Sequence, residues 1–274
     1  MSVNWDALIL NDYEAVMPLT WNKKYGTHYL YQPFLTAQLG VFGKNLTEEL
    51  VENFIKAIPA KFKLIEISLN SGNIFSVPAG FSNLRNNYVL DLNKPYEDLY
   101  QSYRDNIKRN IRKAKQTGCT VEKGFDAEKV IELALLQMRT YGKESAENVD
   151  RFRKLYQFLH SKQMATTYGI LSSQQELIAS CVFFFSRNRA YYILVGNHPN
   201  GKTIGASHAL IDEFIKDHAG KNLPAGQAGM LLDFEGSDIR NLAFFYSSFG
   251  AREEKYPAIR LNRLPFYLKW MKRQ

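Results

Sequence analysis

Residues 231–251, LLDFEGSDIRNLAFFYSSFGA, concentrate the groups best suited to acid–base chemistry. They read as a short buried strand, a polar turn and a helix. Asp233 and Glu235 lie two apart on that strand, so the strand period points both carboxylates one way and Phe234 the other. Paired carboxylates on a mostly apolar strand favour a raised pKa, which suits a general base. Glu235, nearer the strand end, is the preferred base; the alternatives are pairing with Arg240 or capping of the helix that starts near Ile239. Asp233, Glu235 and Ser237 also flank that helix start, where unpaired N–H groups and a partial positive charge suit anions. Tyr246 follows one turn before Gly250. A tyrosine on an aromatic helix face is commonly a core residue with its hydroxyl at the rim.

A second candidate is the run Lys202-Thr203-Ile204-Gly205-Ala206-Ser207, which enters a helix expected over 207–218. Gly205 allows close backbone approach, Ser207 offers a capping hydroxyl and Lys202 a charge, a set that fits a phosphate. The other reading is an ordinary strand-to-helix connection. His198 and His208 are further candidates for proton transfer, though a lone histidine in a turn is commonly just exposed. No His, Cys or carboxylate grouping has metal-ligand spacing, so no metal is expected. The absence of Gly-x-Ser-x-Gly and of Gly-x-x-x-x-Gly-Lys-Ser/Thr argues against a hydrolase elbow and a P-loop.

The third feature is a basic helix, expected to run unbroken from Pro95 to Gln116 and to stop at Gly118. Leu99, Tyr103, Ile107 and Ile111 form an apolar stripe; Arg104, Lys108, Arg112 and Lys115 follow an adjacent one, with Arg109 and Lys113 on a third edge. Like charges four apart disfavour a helix by ~0.2–0.5 kcal/mol per pair. Two readings stand: a solvated face whose tips hold nearby carboxylates, or an anion or substrate site centred on Arg109 and Arg112.

These groups need elements to position them. Strands are expected within 27–43 (a pair, or one bent strand) and at 64–69, 87–92 and 119–122. Three consecutive strands at 166–172, 177–185 and 190–195 are joined by hairpin-length turns, and further strands fall at 231–234 and 258–263. Helices are expected at 47–57 with Thr47 as N-cap, at 127–141, at 149–163 and at 239–249, and a turn over 70–73. Residues 224–229, PAGQAG, read as a loop insertion. The organisation is an N-terminal unit 1–95, a helical connection 96–165 and a C-terminal unit 166–274, with no internal repeat at residue level.

The 274 residues carry a formal net charge of +8, with 45% hydrophobic and 14% aromatic content. That supports full-sized cores and favours anionic partners such as CoA, RNA or a membrane surface without choosing among them. There is no run of ~18 apolar residues to span a membrane, and residues 1–10 lack the pattern of a secretory signal. Cys119 and Cys181 read as buried free thiols. A cytoplasmic protein with no integral membrane association is expected.

Two stretches carry a family resemblance. Three antiparallel strands followed by loop, helix, strand, helix and strand is similar to the order of the GNAT N-acetyltransferase superfamily. The run Ala243 to Ala251, with Tyr246 at its centre, resembles the helix that closes the GNAT catalytic half. Arg109, Asn110, Ile111, Arg112, Lys113, Ala114, Gly118, Val121 and Glu122 resemble the corresponding helix and strand of Fem-type peptidoglycan aminoacyltransferases. The resemblance covers roughly 88–264. It implies a mixed α/β fold of two GNAT-like units, each a mostly antiparallel mixed sheet flanked by helices, with the site in the second near Gly205, Glu235 and Tyr246. It implies Tyr246 as the acid for a departing thiolate, and Lys202, Gly205, Ala206 and Ser207 as the CoA pyrophosphate loop. Lys202 stands where Arg or Gln is usual, and the small residues are shifted by one. The expected activity is transfer of an acyl group from acyl-CoA to an amine acceptor without a covalent enzyme intermediate. The alternatives are a Fem-type aminoacyltransferase using aminoacyl-tRNA to extend cell-wall peptides, and a binding protein that kept the fold without the chemistry.

Overall fold

The computed structural model describes residues 2–73, 82–139, 144–221 and 229–265. Contacts divide the chain into two compact units, Met1–Asn86 with Glu254–Gln274, and Asn87–Glu253. Residues 96–165 thus fall inside the second unit, and the C-terminal strand contributes to the first.

In the first unit, β1 (Asn4–Leu10) pairs antiparallel with β2 (Ala15–Lys24), and β2 with β3 (Thr27–Leu30) and the short β4 (Phe42–Gly43). The stretch 27–43 is therefore two short strands. β3 runs parallel to β5 (Phe62–Ser68), which pairs antiparallel with β12 (Arg252–Asn262). Helix α1 (Glu48–Lys56) starts at Thr47, whose hydroxyl accepts the Leu50 N–H, and adds Val51 and Phe54 to the core of Met17, Leu30, Phe62 and Ile65.

The second unit holds the latter half of β6 (Ser82–Asp91), with β7 (Thr120–Lys123), β8 (Ala165–Leu171), β9 (Leu177–Ser186), β10 (Arg189–Asn197) and β11 (Leu231–Asp233), in the order β6-β11-β10-β9-β8-β7. All these pairs are antiparallel except β10 with β11. Strand alternation in β9 sorts the two faces. Phe183 stacks on Phe214 of α7 (Ala206–His218), and Phe184 stacks on Phe152 of α5 (Ala146–Ser161). Helix α4 (Ala127–Met138), capped by Asp126, packs against β9 and β10. Residues 224–228 of the expected loop insertion, and the last residues of the helix expected to 141, lie outside the described residues. Of the two thiols expected to be buried, the structure buries Cys181 and leaves Cys119 partly exposed. No helix among the described residues is long and apolar enough to cross a membrane.

The expected single helix from Pro95 to Gln116 is two helices, α2 (Tyr96–Ser102) and α3 (Asp105–Gln116). Tyr103 and Arg104 between them are extended, with ψ of 142° and 154°. The cause is tertiary. The Arg104 N–H donates to the Ser248 carbonyl (2.9 Å) at the end of α8 (Arg240–Ser247). Gly250, at φ +85°, lets that chain end close on α2: a Cβ there would sit 2.7 Å from Ser102 Oγ. A sixth helix, α6 (Pro199–Ile204), precedes α7 and had no counterpart in the sequence reading.

Candidate functional site

The parallel pairing of β10 and β11 covers only Arg189–Tyr191 against Leu231–Asp233, while β10 runs on to Asn197. Its register with β9 shifts between Tyr192 and Val195. Past Tyr191 the edge of β10 facing β11 has no ladder partner among the described residues. The polar turn 234–237 begins at this parting.

Asp233 and Glu235 do not share a strand face. β11 ends at Asp233, and Glu235 and Gly236 take φ of +59° and +85°, which breaks the alternation. Asp233 is 1% exposed and accepts from Arg189 (2.6 Å), Asn87 Nδ2 (2.9 Å) and the Glu235 N–H (2.8 Å). Burial pushes its carboxyl up, and Arg189 pulls it back. Its partner is Arg189 on β10 rather than Arg240, and its three donors fix the turn instead of leaving a free base. Asn87 completes the lock by accepting the Gly236 N–H (2.6 Å). Ser237 Oγ accepts the Ile239 N–H (3.0 Å). Glu235 is thereby presented, half-buried, at the tip of a braced turn.

Tyr246 is buried in the face of α8 that meets the sheet. Its ring stacks on Phe234 at 4.5 Å, with Tyr88 of β6 and Tyr192 of β10 at 6.4 and 6.5 Å. Burial pushes the phenol up to about 12, so it stays protonated near neutral pH. The Phe234 stack sets it beside the residue that precedes Glu235. Leu242, one turn earlier on the same helix face, is nevertheless 39% exposed, so that face opens towards solvent just beyond Tyr246.

The run 202–207 differs in detail from its sequence reading. Gly205 is both the C-cap of α6 and the N-cap of α7, at φ +81°. A Cβ there would lie 2.8 Å from Asn110 Cβ and from the Asn110 carbonyl, so its lack of a side chain serves the close packing of α7 on α3. Ser207 is not the cap; its hydroxyl donates to Asn197 Oδ1 at the end of β10. Ala206 is buried and Lys202 exposed. No side chain caps the start of α7. His198 caps α6 by accepting the Asn200 N–H (3.3 Å). His208 lies edge-on to Phe245 (4.9 Å), and its Nε2 faces the Asn110 amide (3.4 Å). Its Nδ1 meets no partner at hydrogen-bond geometry. Burial drives its pKa down to about 4, against a smaller opposing pull from the Gly205 carbonyl.

On α3, Ile107, Ile111 and Ala114 are buried, while Arg109 and Arg112 are exposed. The tips of this helix do not hold carboxylates. Lys108 donates to the Gln101 carbonyl (2.9 Å), Arg112 to the Lys108 carbonyl (3.3 Å) and Lys113 to the Thr203 carbonyl (3.0 Å). None of the α3 cations is ion-paired among the described residues. No group of three or more His, Cys, Asp or Glu side chains is placed to hold a metal among them either. Asn87, Arg189 and Asn197 were missed by the sequence reading, and Asn110 was noted only as part of the α3 resemblance, not for its contacts with Gly205 and His208. Asn87 left one signal, a polar amide at the head of the strand run NYVLDL, where strands disfavour Asn.

The acetyltransferase (GNAT) domain family model matches residues 101–225. No curated protein matches the chain. Among solved structures, FemX aligns at 13% identity over 98% of this chain and 91% of that one, with a TM-score of 0.63. L-PGS from Bacillus licheniformis aligns at 12% identity over 97% and 87%, with a TM-score of 0.54. A conserved protein of unknown function from Bacteroides thetaiotaomicron aligns at 12% over 92% and 84%, with a TM-score of 0.55. The parted β10 and β11, the helix pair α7 and α8 across them and the family match agree: residues 101–225 are similar to the GNAT domain, and the chain has a GNAT-like fold similar to that of FemX.

Proposed function

We propose that the protein is an N-acyltransferase that moves an acyl group from acyl-CoA to an amine. The observation that carries this reading is Tyr246, a buried phenol that keeps its proton, stacked on Phe234 where β10 and β11 part. In the transfer, the amine nitrogen attacks the acyl carbonyl and the C–S bond breaks. Glu235 takes the proton released by the amine, and Tyr246 protonates the departing thiolate. The uncapped start of α7 and the Lys202 ammonium receive the pyrophosphate, with Ala206 and Ser207 supplying backbone N–H groups and Gly205 setting the helix entry. Among the described residues no activated nucleophile stands beside Tyr246 and Glu235, and the proposed transfer is direct. Arg109 and Arg112 give an anion-binding face outside this centre. The units 1–95, 96–165 and 166–274 remain the proposed functional division, and a cytoplasmic setting follows from the proposed donor.

A second reading is favoured by the engaged side chains at the α7 start. Ser207 is bonded to Asn197, and Lys113 to Thr203, so the pyrophosphate would find few side-chain donors there. That suits a donor held elsewhere, such as aminoacyl-tRNA. Calorimetric titration with acetyl-CoA decides between the two. Micromolar binding that weakens at least tenfold in Lys202→Glu supports the CoA reading. Absence of binding, together with salt-dependent binding of aminoacyl-tRNA, overturns it. Failure of both leaves a binding protein without catalysis.

A further inference from the structure

The outward face of α3 carries Lys108, Arg109, Arg112 and Lys115, with Asp105 as its only acid. These cations do not hold unit 2 together by charge pairing, since their nearest acceptors are backbone carbonyls or none. Arranging like charges at helical spacing costs stability, and the carboxylate that offsets part of it, Asp212, acts on Lys115 at the far end of the face and makes no ion pair with it. At the start of this face the Arg104 guanidinium lies 4.9 Å from the Phe244 ring centroid. Phe244 is 52% exposed on α8, and Arg240, one turn before it, is exposed as well. An apolar ring is thus held in solvent against the Arg104 guanidinium, at the end of a mostly basic helix face.

We propose that this face, α3 with the Phe244 side of α8, docks the second unit on an anionic lipid bilayer. The cations meet headgroup phosphates, and Phe244 enters the interfacial layer. Charge complementarity supplies attraction and the ring supplies apolar contact, the two terms that hold peripheral amphipathic surfaces on membranes. An RNA backbone would accept the same cations. The exposed group beside them decides against it: a lone ring, Phe244, stands in solvent on this side of α8, whereas single-stranded RNA is gripped by successive stacking rings. The proposal does not depend on acyl transfer, and its test contains no donor or acceptor.

The test is cosedimentation of the full chain with vesicles of phosphatidylglycerol and phosphatidylcholine, or of phosphatidylcholine alone, in about 0.1 M salt, where charges act over ~10 Å. Binding to the anionic vesicles only is expected, lost in high salt. The double variant Arg109→Gln with Arg112→Gln should bind roughly 30-fold more weakly, and Phe244→Ser roughly tenfold. These side chains are exposed, and unchanged thermal melts show that lost binding is not unfolding; Lys108→Gln with Lys115→Gln is the substitute pair if a melt changes. Equal binding to phosphatidylcholine, or full binding by both charge variants, overturns the proposal. So does tighter binding of bulk tRNA that is abolished by the same substitutions, which would assign the face to RNA.

Discussion

Asp233→Asn isolates the lock that presents Glu235. The substitution keeps the shape of the side chain and removes its charge. In the folded protein Asp233 is 1% exposed and takes three donors, one of them Arg189 at 2.6 Å. Breaking a buried ion pair by removing one partner costs ~3–5 kcal/mol. Arg189 keeps 21% of its side-chain surface in water and can partly rehydrate, so the lower end applies, about 3 kcal/mol. For a unit of this size each kcal/mol moves Tm by roughly 2–4 °C, which gives a fall of about 6–12 °C. Differential scanning calorimetry reads it. Arg189→Met should fall by a comparable amount, and the double variant by clearly less than the sum, because the two residues act as one pair. A fall under ~2 °C for Asp233→Asn, or full additivity, would refute the claim that this pair braces the turn.

Three further outcomes are expected. His208 is held near pKa 4 in the fold against an ordinary histidine value of 6.5. Its contribution is therefore complete above pH 6.5 and is lost as pH falls towards 4, up to about 3 kcal/mol in all; urea melts across that window should show the loss, and His208→Phe should flatten it. Gly205→Ala combines a left-handed backbone, ~1–2 kcal/mol, with a Cβ pressed on Asn110, ~1–3 kcal/mol. Destabilisation of about 2–5 kcal/mol by denaturant melts is expected, and a neutral result would contradict the packing role assigned to Gly205. Tyr246→Phe should leave stability within ~1 kcal/mol and lower kcat by ~10²–10⁴-fold, because it removes a proton donor and keeps the ring stacked on Phe234.

Much of the second unit was legible because its signals are local. β9 is a continuous apolar run with polar turns at both ends, and the expected strand 177–185 differs from Leu177–Ser186 by one residue. Thr47 and Gly118 mark helix ends by capping chemistry that any context respects. The failures were tertiary. Nothing at Tyr103 or Arg104 breaks a helix; the break is made by Ser248, far along the chain. Strand alternation carried past Asp233 put Glu235 on the wrong footing, because the turn there is fixed by Asn87 and Arg189, which sequence order hides. Gly205 was read as room for a phosphate, whereas the room is taken by Asn110. The basic face of α3 was the reverse case: its charges were plain in the sequence, but only the structure shows that none is held by a carboxylate among the described residues.

The central claim is that Tyr246 delivers a proton to a departing group in amine acylation. The direct measurement is release of free CoA thiol from acetyl-CoA in the presence of a panel of primary amines, for the wild type, Tyr246→Phe and Glu235→Gln. The account predicts amine-dependent thiol release that falls at least ~100-fold in Tyr246→Phe while acetyl-CoA binding is kept. It also predicts that amine-dependent release falls in Glu235→Gln while acetyl-CoA binding is kept. Amine-dependent release that is undiminished in Tyr246→Phe would contradict it.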